Sequence, residues 1–326
     1  MLQLENLELL KMKKNLLAFS AGVDSSALFF LLLENNITFD IALVNYGLRQ
    51  QSSTEESYAM KLAKIHTLKA HIIHAPQWKS NFEKNARDFR YNFFDSLMLN
   101  YDNLLTAHQL NDQLEWFLMR LTKGAGTSEL IGLEALSQRK NYQLVRPLLK
   151  HSKQELLNYL HQHQHHYFLD ESNQSDKYER NKFRKNFSDK LLKEYQSGIL
   201  NSFNYLKEDK QSLLEGIYES VHEKKLYVIK YTLTHQKVRI IDTYLKKLGY
   251  LLSAEQRKII KEENSVVIGG LWAIEVSEEK IFIAPYKTTT MPKAFKEFCR
   301  TLKIPSKIRA YLYEENIDPK VLEVSS

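Results

Sequence analysis

Three groups of residues in this 326-residue chain have the types and spacing for chemistry on phosphates and amines. The first is SAGVDS, residues 20–25, between an apolar run at 16–19 and a second apolar stretch at 28–33. A tight turn of small residues between a strand and a helix directs successive N–H groups to one point at the positive end of the helix, which is an anion site. The turn is neither G-x-x-x-x-G-K-[ST] nor G-x-G-x-x-G. Asp24 sits where phosphates would lie, and a carboxylate is tolerable there only if Mg²⁺ or hydrogen-bond donors offset the repulsion. Alanine disfavours φ > 0, so Ala21 predicts either a negative φ or a reshaped loop. The second group is His108, Asp112 and Glu115. Two carboxylates three apart, with an imidazole just before them, suit a cationic ligand or a metal. Acids that merely answer a helix dipole would look the same. The third is DESNQSDKYERNKFRKN, residues 170–186. Arg180 and Arg184 share a face if this is helical. Tyr178 and Phe183 lie among the basic residues, which fits contact with phosphates and bases. A charged, solvated helix behind a linker fits equally well.

The elements that must position these groups follow from periodicity. Residues 16–19, 41–45, 71–74 and 104–106 read as short buried strands. Residues 26–34, 54–66 and 82–100 read as helices, the second with a capping box of Ser53 and Glu56. Strand and helix alternating at this spacing predict a doubly wound parallel sheet in an α/β domain. Ligands bind such sheets beyond the carboxyl ends of the strands. Segments 20–25, 45–49, 75–78 and 107–112 fall at those ends and should share one site. Leu114, Phe117, Leu118 and Leu121 form a core-facing stripe, which puts Asp112 and Glu115 on the polar side of their helix. His151, His161, His163, His165 and His166 are read as a solvated helix, because no carboxylate spacing completes a metal motif around them. Residues 191–261 read as mainly helical, with amphipathic stretches at 206–217 and 238–252. Residues 266–284 read as a β-hairpin, and 293–309 as a basic stretch near the end.

Lys and Arg exceed Asp and Glu by 46 − 39 = 7, which favours a polyanionic partner, most simply nucleic acid. The single cysteine, Cys299, excludes a disulfide framework, a cysteine zinc cluster and a C-x-x-C redox pair. Glu5, Glu8, Lys11, Lys13 and Lys14 interrupt any signal-peptide pattern. No apolar run reaches the length of a membrane span. A cytoplasmic protein without a membrane partner is expected.

The loop at 20–25 resembles S-G-G-x-D-S, the pyrophosphatase loop of ATP enzymes that cleave between the α- and β-phosphates, with Ala21 in place of the first glycine. Further motifs, in order, resemble the tRNA(Ile)-lysidine synthetase family. VNYGLR at 44–49 resembles H-V-N-H-G-L-R, and ARDFRY at 86–91 resembles A-R-x-x-R-Y. AHQLNDQLE at 107–115 resembles A-H-H-x-D-D-Q-x-E, with Asn111 for the first aspartate. KGAGTSELIGL at 123–133, RPLL at 146–149 and residues 170–184 complete the series. GGLWAIE is similar to the family's later hairpin.

The resemblance implies an adenine nucleotide α-hydrolase-like ATP domain over 1–187. A mainly helical, tRNA-binding domain with a β-hairpin would follow over 188–288, then a shortened basic region over 289–326. It implies an ATP-dependent ligase. ATP adenylates O2 of the wobble cytosine in a CAU-anticodon isoleucine tRNA, and free lysine displaces AMP to leave lysidine. The residues carried over are Ser20, Ala21, Gly22, Val23, Asp24 and Ser25 for ATP, and Asp24, His108 and Arg87 for catalysis. Arg87, Arg90, Arg180 and Arg184 are carried over for tRNA, and Asp24 for Mg²⁺. Asp112 and Glu115 are assigned to lysine, because two anions beside an ATP site suit an amine better than a triphosphate. A homodimer is left open. The other readings are a tRNA thiolase with the same loop, an amidotransferase-type synthetase, or a non-catalytic tRNA-binding relative.

Overall fold

Contacts in the computed structural model divide the chain once, between Glu208 and Asp209. Residues 2–47, 51–78, 80–139, 141–169, 179–213, 215–232 and 236–322 are described. Leu48 and Arg49 of the VNYGLR segment, and residues 170–178 with Tyr178, lie outside them.

The first unit opens with α1 (Leu7–Lys11) and continues β1 (Asn15–Ala18), α2 (Val23–Glu34), β2 (Phe39–Asn45), α3 (Ser52–Ile65), β3 (Ala70–His74), α4 (Phe82–Leu97), β4 (Asn103–Leu105), α5 (Leu110–Leu121) and α6 (Thr127–Leu130). It then runs through β5 (Leu136–Arg139), β6 (Tyr142–Val145), α7 (Lys153–Gln162), α8 (Glu179–Phe183), a π-helical turn at Arg184–Ser188, and α9 (Asp189–Ser212). The sheet order is β3-β2-β1-β4-β6-β5, with β5 antiparallel to β6 and the other pairs parallel. Strands buried on both faces read as continuous apolar runs, and β1 shows why. Leu17 packs with Leu28, Leu31 and Leu32 of α2 on one face, while Leu16 packs with Tyr91 and Phe94 of α4 on the other. β1 lies between β2 and β4, so the chain order reverses there and leaves a crevice beyond the carboxyl ends of β1 and β4.

Several local expectations are corrected. α2 begins at Val23 rather than residue 26, because Gly22 is extended and serves as N-cap. α3 has Gln51 as N-cap, with no capping box from Ser53 and Glu56. Glu56 instead accepts hydrogen bonds from Asn45 Nδ2 at 2.6 Å and pairs with His74 Nε2 at 2.9 Å. β5 and β6 were not expected. β5 is a sheet edge with alternating exposure, so it carries no apolar run. α9 up to Glu208 groups with the first unit, where Leu192 and Phe203 pack against Leu110, Leu114 and Ile131.

The second unit holds an antiparallel sheet of β7 (Tyr218–Glu223), β8 (Leu226–Lys230), β11 (Lys280–Pro285), β10 (Trp272–Val276) and β9 (Ser265–Ile268), in that spatial order. The hairpin expected over 266–284 is present as three strands. Gly269 and Gly270, both at positive φ, reverse the chain before Trp272. β7 and β8 fall in the stretch read as helical. In β8, Tyr227 and Ile229 pack toward α10 (Lys237–Lys247) and α11 (Ala254–Glu262), whereas Leu226 and Val228 face α12 (Lys293–Thr301) and α13 (Ser306–Glu314). The basic stretch at 293–309 therefore rides on helices whose apolar side, with Cys299, Ile304 and Ile308, covers the sheet. No helix among the described residues is long and apolar enough to cross a membrane.

Candidate active site

The loop after β1 is held by Ser25. Its Oγ accepts from Ser20 N–H at 3.2 Å, lies 3.1 Å from Ser20 Oγ and donates to the Gly22 carbonyl at 3.2 Å. Ala21 is fully buried and has φ +57°, so it adopts the left-handed conformation that glycine would favour. Of the two alternatives the sequence offered, negative φ is excluded. The Ala21 carbonyl accepts from Phe168 N–H at 2.9 Å, which pins the strained residue from the far side of the chain. The first intrahelical bond of α2 is Ser26 N–H to Gly22 carbonyl at 2.9 Å. The N–H groups of Val23, Asp24 and Ser25 precede it, without an acceptor inside the helix. They mark the anion-facing end.

Asp24 follows at the head of α2. Its Oδ1 is sealed from solvent and has no hydrogen-bond partner among the described residues. Burial pushes its carboxyl up to about 7, Asp112 adds to that, and Lys153 and Arg184 oppose it. A sealed carboxylate oxygen beside a second anion fits a hard cation such as Mg²⁺, which takes oxygen ligands.

Asp112 and Glu115 do not lie on a solvent face. Glu115 is 0 % and Asp112 9 % exposed. α5 starts with a capping box: Gln109 Oε1 accepts from Asn111 N–H at 2.5 Å, and Asp112 Oδ2 accepts from Gln109 N–H at 3.0 Å. The other oxygens meet α8 and the turn after it. Arg180 donates from Nη2 to Asp112 Oδ1 at 2.6 Å and from Nε to Glu115 Oε2 at 2.9 Å. Arg184 donates from Nε and Nη2 to the two oxygens of Glu115 at 2.6 and 3.0 Å. The two arginines do share a face, and that face is spent on carboxylates. Burial raises both acids, but for Asp112 the guanidinium of Arg180, with His108 and the Gln109 N–H, outweighs it and holds the carboxyl below its ordinary range. For Glu115 burial wins over Arg184, and the carboxyl is pushed up. Asn111 is a joint. Its Oδ1 accepts from Lys153 N–H at 3.0 Å and its Nδ2 donates to Asp189 Oδ1 at 2.7 Å. An aspartate there would set two carboxylates against each other.

His108 Nδ1 lies 3.0 Å from Thr106 Oγ1. Burial pushes the imidazole down to about 4; Asp112 opposes this, and Arg146, Arg180 and Arg90 reinforce it. It is neutral at pH 7. Arg87 and Arg90 are exposed on α4. Their guanidinium carbons lie 5.1 and 5.9 Å from the Tyr91 ring centroid. Arg90 reaches the site through its field on His108, whereas Arg87 acts on Arg146. Segments 45–47 and 75–78 are tied together by Ala75 N–H to the Asn45 carbonyl at 2.8 Å and Gln77 Nε2 to the Tyr46 carbonyl at 3.3 Å.

Two cations near the site were given no role from the sequence, although Arg146 opens the RPLL motif. Lys153 lowers Asp24 from the first turn of α7. Arg146, 8 % exposed, donates from Nη1 to the Glu134 carbonyl at 2.6 Å and Ser137 Oγ at 2.9 Å, while its Nε is sealed without a partner among the described residues. Both follow β6, and a strand ending just before the RPLL motif is the signal that places them at the site.

A family model described as a PP-loop domain matches residues 2–191. The chain is 45% identical over 317 residues to a protein of Campylobacter jejuni strain RM1221, covering 96% of this chain and 97% of that protein. It is 46% identical over 320 residues to one of Wolinella succinogenes, covering 97% and 98%. It is 43% identical over 316 residues to one of Helicobacter pylori strain 26695, covering 95% and 92%. All three relatives are named tRNA(Ile)-lysidine synthase.

Proposed function

The chain belongs to the tRNA(Ile)-lysidine synthase family, and from that premise we propose that it joins free lysine to C2 of the wobble cytidine in a CAU-anticodon isoleucine tRNA. ATP adenylates O2 of the cytosine and releases pyrophosphate. The lysine ε-amine then forms a bond to C2 as the C2–O bond to AMP breaks. Adenylation replaces a poor leaving group with a good one.

The observation that carries this reading is that the buried acidic pair, Asp112 and Glu115, lies close enough to Asp24, at the head of α2 after the loop at 20–25, for both to act on its charge. The helix end suits a triphosphate and the acidic pair an amine. In this reading the N–H groups of Val23, Asp24 and Ser25 hold phosphate oxygens. Asp24 would hold Mg²⁺, which supplies charge neutralisation to departing pyrophosphate. Asp112 and Glu115 receive the ammonium groups of lysine in exchange for part of their pairing with Arg180. His108 brings an uncharged hydrogen-bonding group to the reacting centre. Arg87 and Arg90, exposed on α4, meet the tRNA backbone. Thiolation chemistry of the cysteine-dependent kind is disfavoured, because the one cysteine, Cys299, is buried in the second unit's core.

The test is incubation with ATP, radiolabelled lysine and tRNA transcripts that differ only in the anticodon. Label should enter CAU transcripts and not GAU transcripts. Label in neither overturns the reading. For the amine pocket, Asp112→Asn and Glu115→Gln should raise the KM for lysine while tRNA-dependent AMP formation persists. Collapse of AMP formation with unchanged lysine dependence would hand the pair to the metal instead.

A further inference from the structure

Glu34, His163 and His165 bring three ligand atoms within 4.8 Å of one another. They lie at the C-terminal ends of α2 and α7. Spacing does not connect them, because the carboxylate is far from the histidines along the chain. The turn after α7 creates the cluster. Gln164 has φ +54°. Its N–H bonds the His161 carbonyl at 3.2 Å, and His165 N–H bonds the Leu160 carbonyl at 2.9 Å. This is a Schellman closure built without glycine. It sets His163 at the cap and His165 two residues on, both against the end of α2.

Each ligand is held by a neighbour. Tyr159 Oη donates to Glu34 Oε1 at 2.6 Å. The His165 ring stacks flat on Phe30, one turn before Glu34, at 3.6 Å and 4°. The His163 ring lies 4.8 Å from Tyr159 and nearly parallel to His165, at 14°. His163 Nδ1 is already 3.8 Å from Glu34 Oε1. His161 is not part of the set; its Nε2 is taken by Tyr167 Oη at 2.7 Å. Donors around tetrahedral zinc stand about 3.3 Å apart, given bonds of roughly 2.0–2.1 Å, so small side-chain rotations close the set. Metal-binding histidines and carboxylates are characteristically steered by such outer contacts. Two imidazoles and one carboxylate select a transition metal over Mg²⁺ or Ca²⁺, which require oxygen ligands.

From this geometry we infer that Glu34, His163 and His165 form a binding site for one divalent transition-metal ion of the zinc class, distinct from the ATP crevice. Glu34 and His163 are 27% and 42% exposed in their side chains, so the ion enters directly and keeps an open position. α2 and α7 carry Asp24 and Lys153 at their opposite ends. The ion would therefore clamp the far ends of two helices whose near ends enter the crevice.

The test uses tag-free, full-length protein, stripped with chelator and kept in excess Mg²⁺. Titration calorimetry with Zn²⁺ alone should show one saturable equivalent, and excess Zn²⁺ should raise the melting temperature. His163→Ala with His165→Ala should abolish that equivalent. Tyr159→Phe should weaken it about tenfold. His161→Ala and Asp24→Asn should leave it intact. If the double variant does not fold, Glu34→Gln, which keeps an acceptor for Tyr159, should weaken zinc binding at least tenfold. No saturable equivalent in the wild type overturns the inference. So does equal binding after either the histidine or the Glu34 change, or loss of the equivalent in His161→Ala or Asp24→Asn.

Discussion

Arg184 holds Glu115 by both carboxylate oxygens, Nε to Oε1 at 2.6 Å and Nη2 to Oε2 at 3.0 Å. Glu115 is fully buried, and Arg180 contributes a second guanidinium to the same carboxylate. Removing one partner of a buried pair leaves a charge without compensation. Arg184→Ala should therefore cost about 3 kcal/mol, the low end of the range for such breaks because Arg180 remains. Glu115→Gln, which keeps an acceptor, should cost less. Urea unfolding of both variants checks the order.

Asp24 gives a pH dependence with a definite sign. In the unfolded chain its carboxyl loses its proton near 3.8, and in the fold near 7. Between those values the folded state binds more protons than the unfolded state, so this group lowers stability as pH rises through the window, and the loss is complete above it. Asp24→Asn should therefore stabilise the nucleotide-free protein near pH 8, with the gap closing toward pH 4, while AMP formation is lost. Urea melts across that range measure the gap. A variant less stable than wild type near pH 8 contradicts the assignment.

Ala21 balances two terms. Its left-handed backbone costs about 1–2 kcal/mol for an alanine, and its buried methyl returns about 0.8 kcal/mol. Glycine removes both and adds freedom to the unfolded chain. Ala21→Gly should melt within about 1 kcal/mol of wild type and keep activity. Ala21→Val places a branched side chain at positive φ in a sealed loop and should be clearly worse. Thermal melts and AMP release read the two together.

The arginines divide by exposure. Arg87 and Arg90 are exposed to solvent beside the Tyr91 ring, whereas Arg184 is committed to Glu115. Arg87→Ala with Arg90→Ala should weaken tRNA binding and flatten the log–log salt slope by roughly two units. Arg184→Ala should leave the slope near wild type. Filter binding over a salt series distinguishes them, and an unchanged slope in the double variant removes α4 from the RNA face.

The sheet and its crevice were legible because residues 16–19 and 41–45 are apolar runs bounded by small or polar turns, and because the loop at 20–25 has few other uses. β5 and β7 were not legible. An edge strand such as LSQR has half its residues in water and no periodic excess of apolar side chains. The acidic pair was found by type and spacing, but its burial was not. Asp112 and Glu115 are polar on a helix wheel and become interior only when Arg180 and Arg184, some 65–69 residues on, cover them. Glu34 illustrates the same limit: nothing local to a helix C-terminus announces a histidine turn arriving from another helix.

Asp112 does two jobs with one side chain. One oxygen closes the first turn of α5, and the other faces Arg180. In the proposed reading, a change at Asp112 that retunes the amine pocket and removes its acceptor also gives up half of the capping box on the helix that carries it. Under that reading, a lineage shifting to another amine through this position needs a replacement for that contact, so local folding acts as a ratchet on substrate choice.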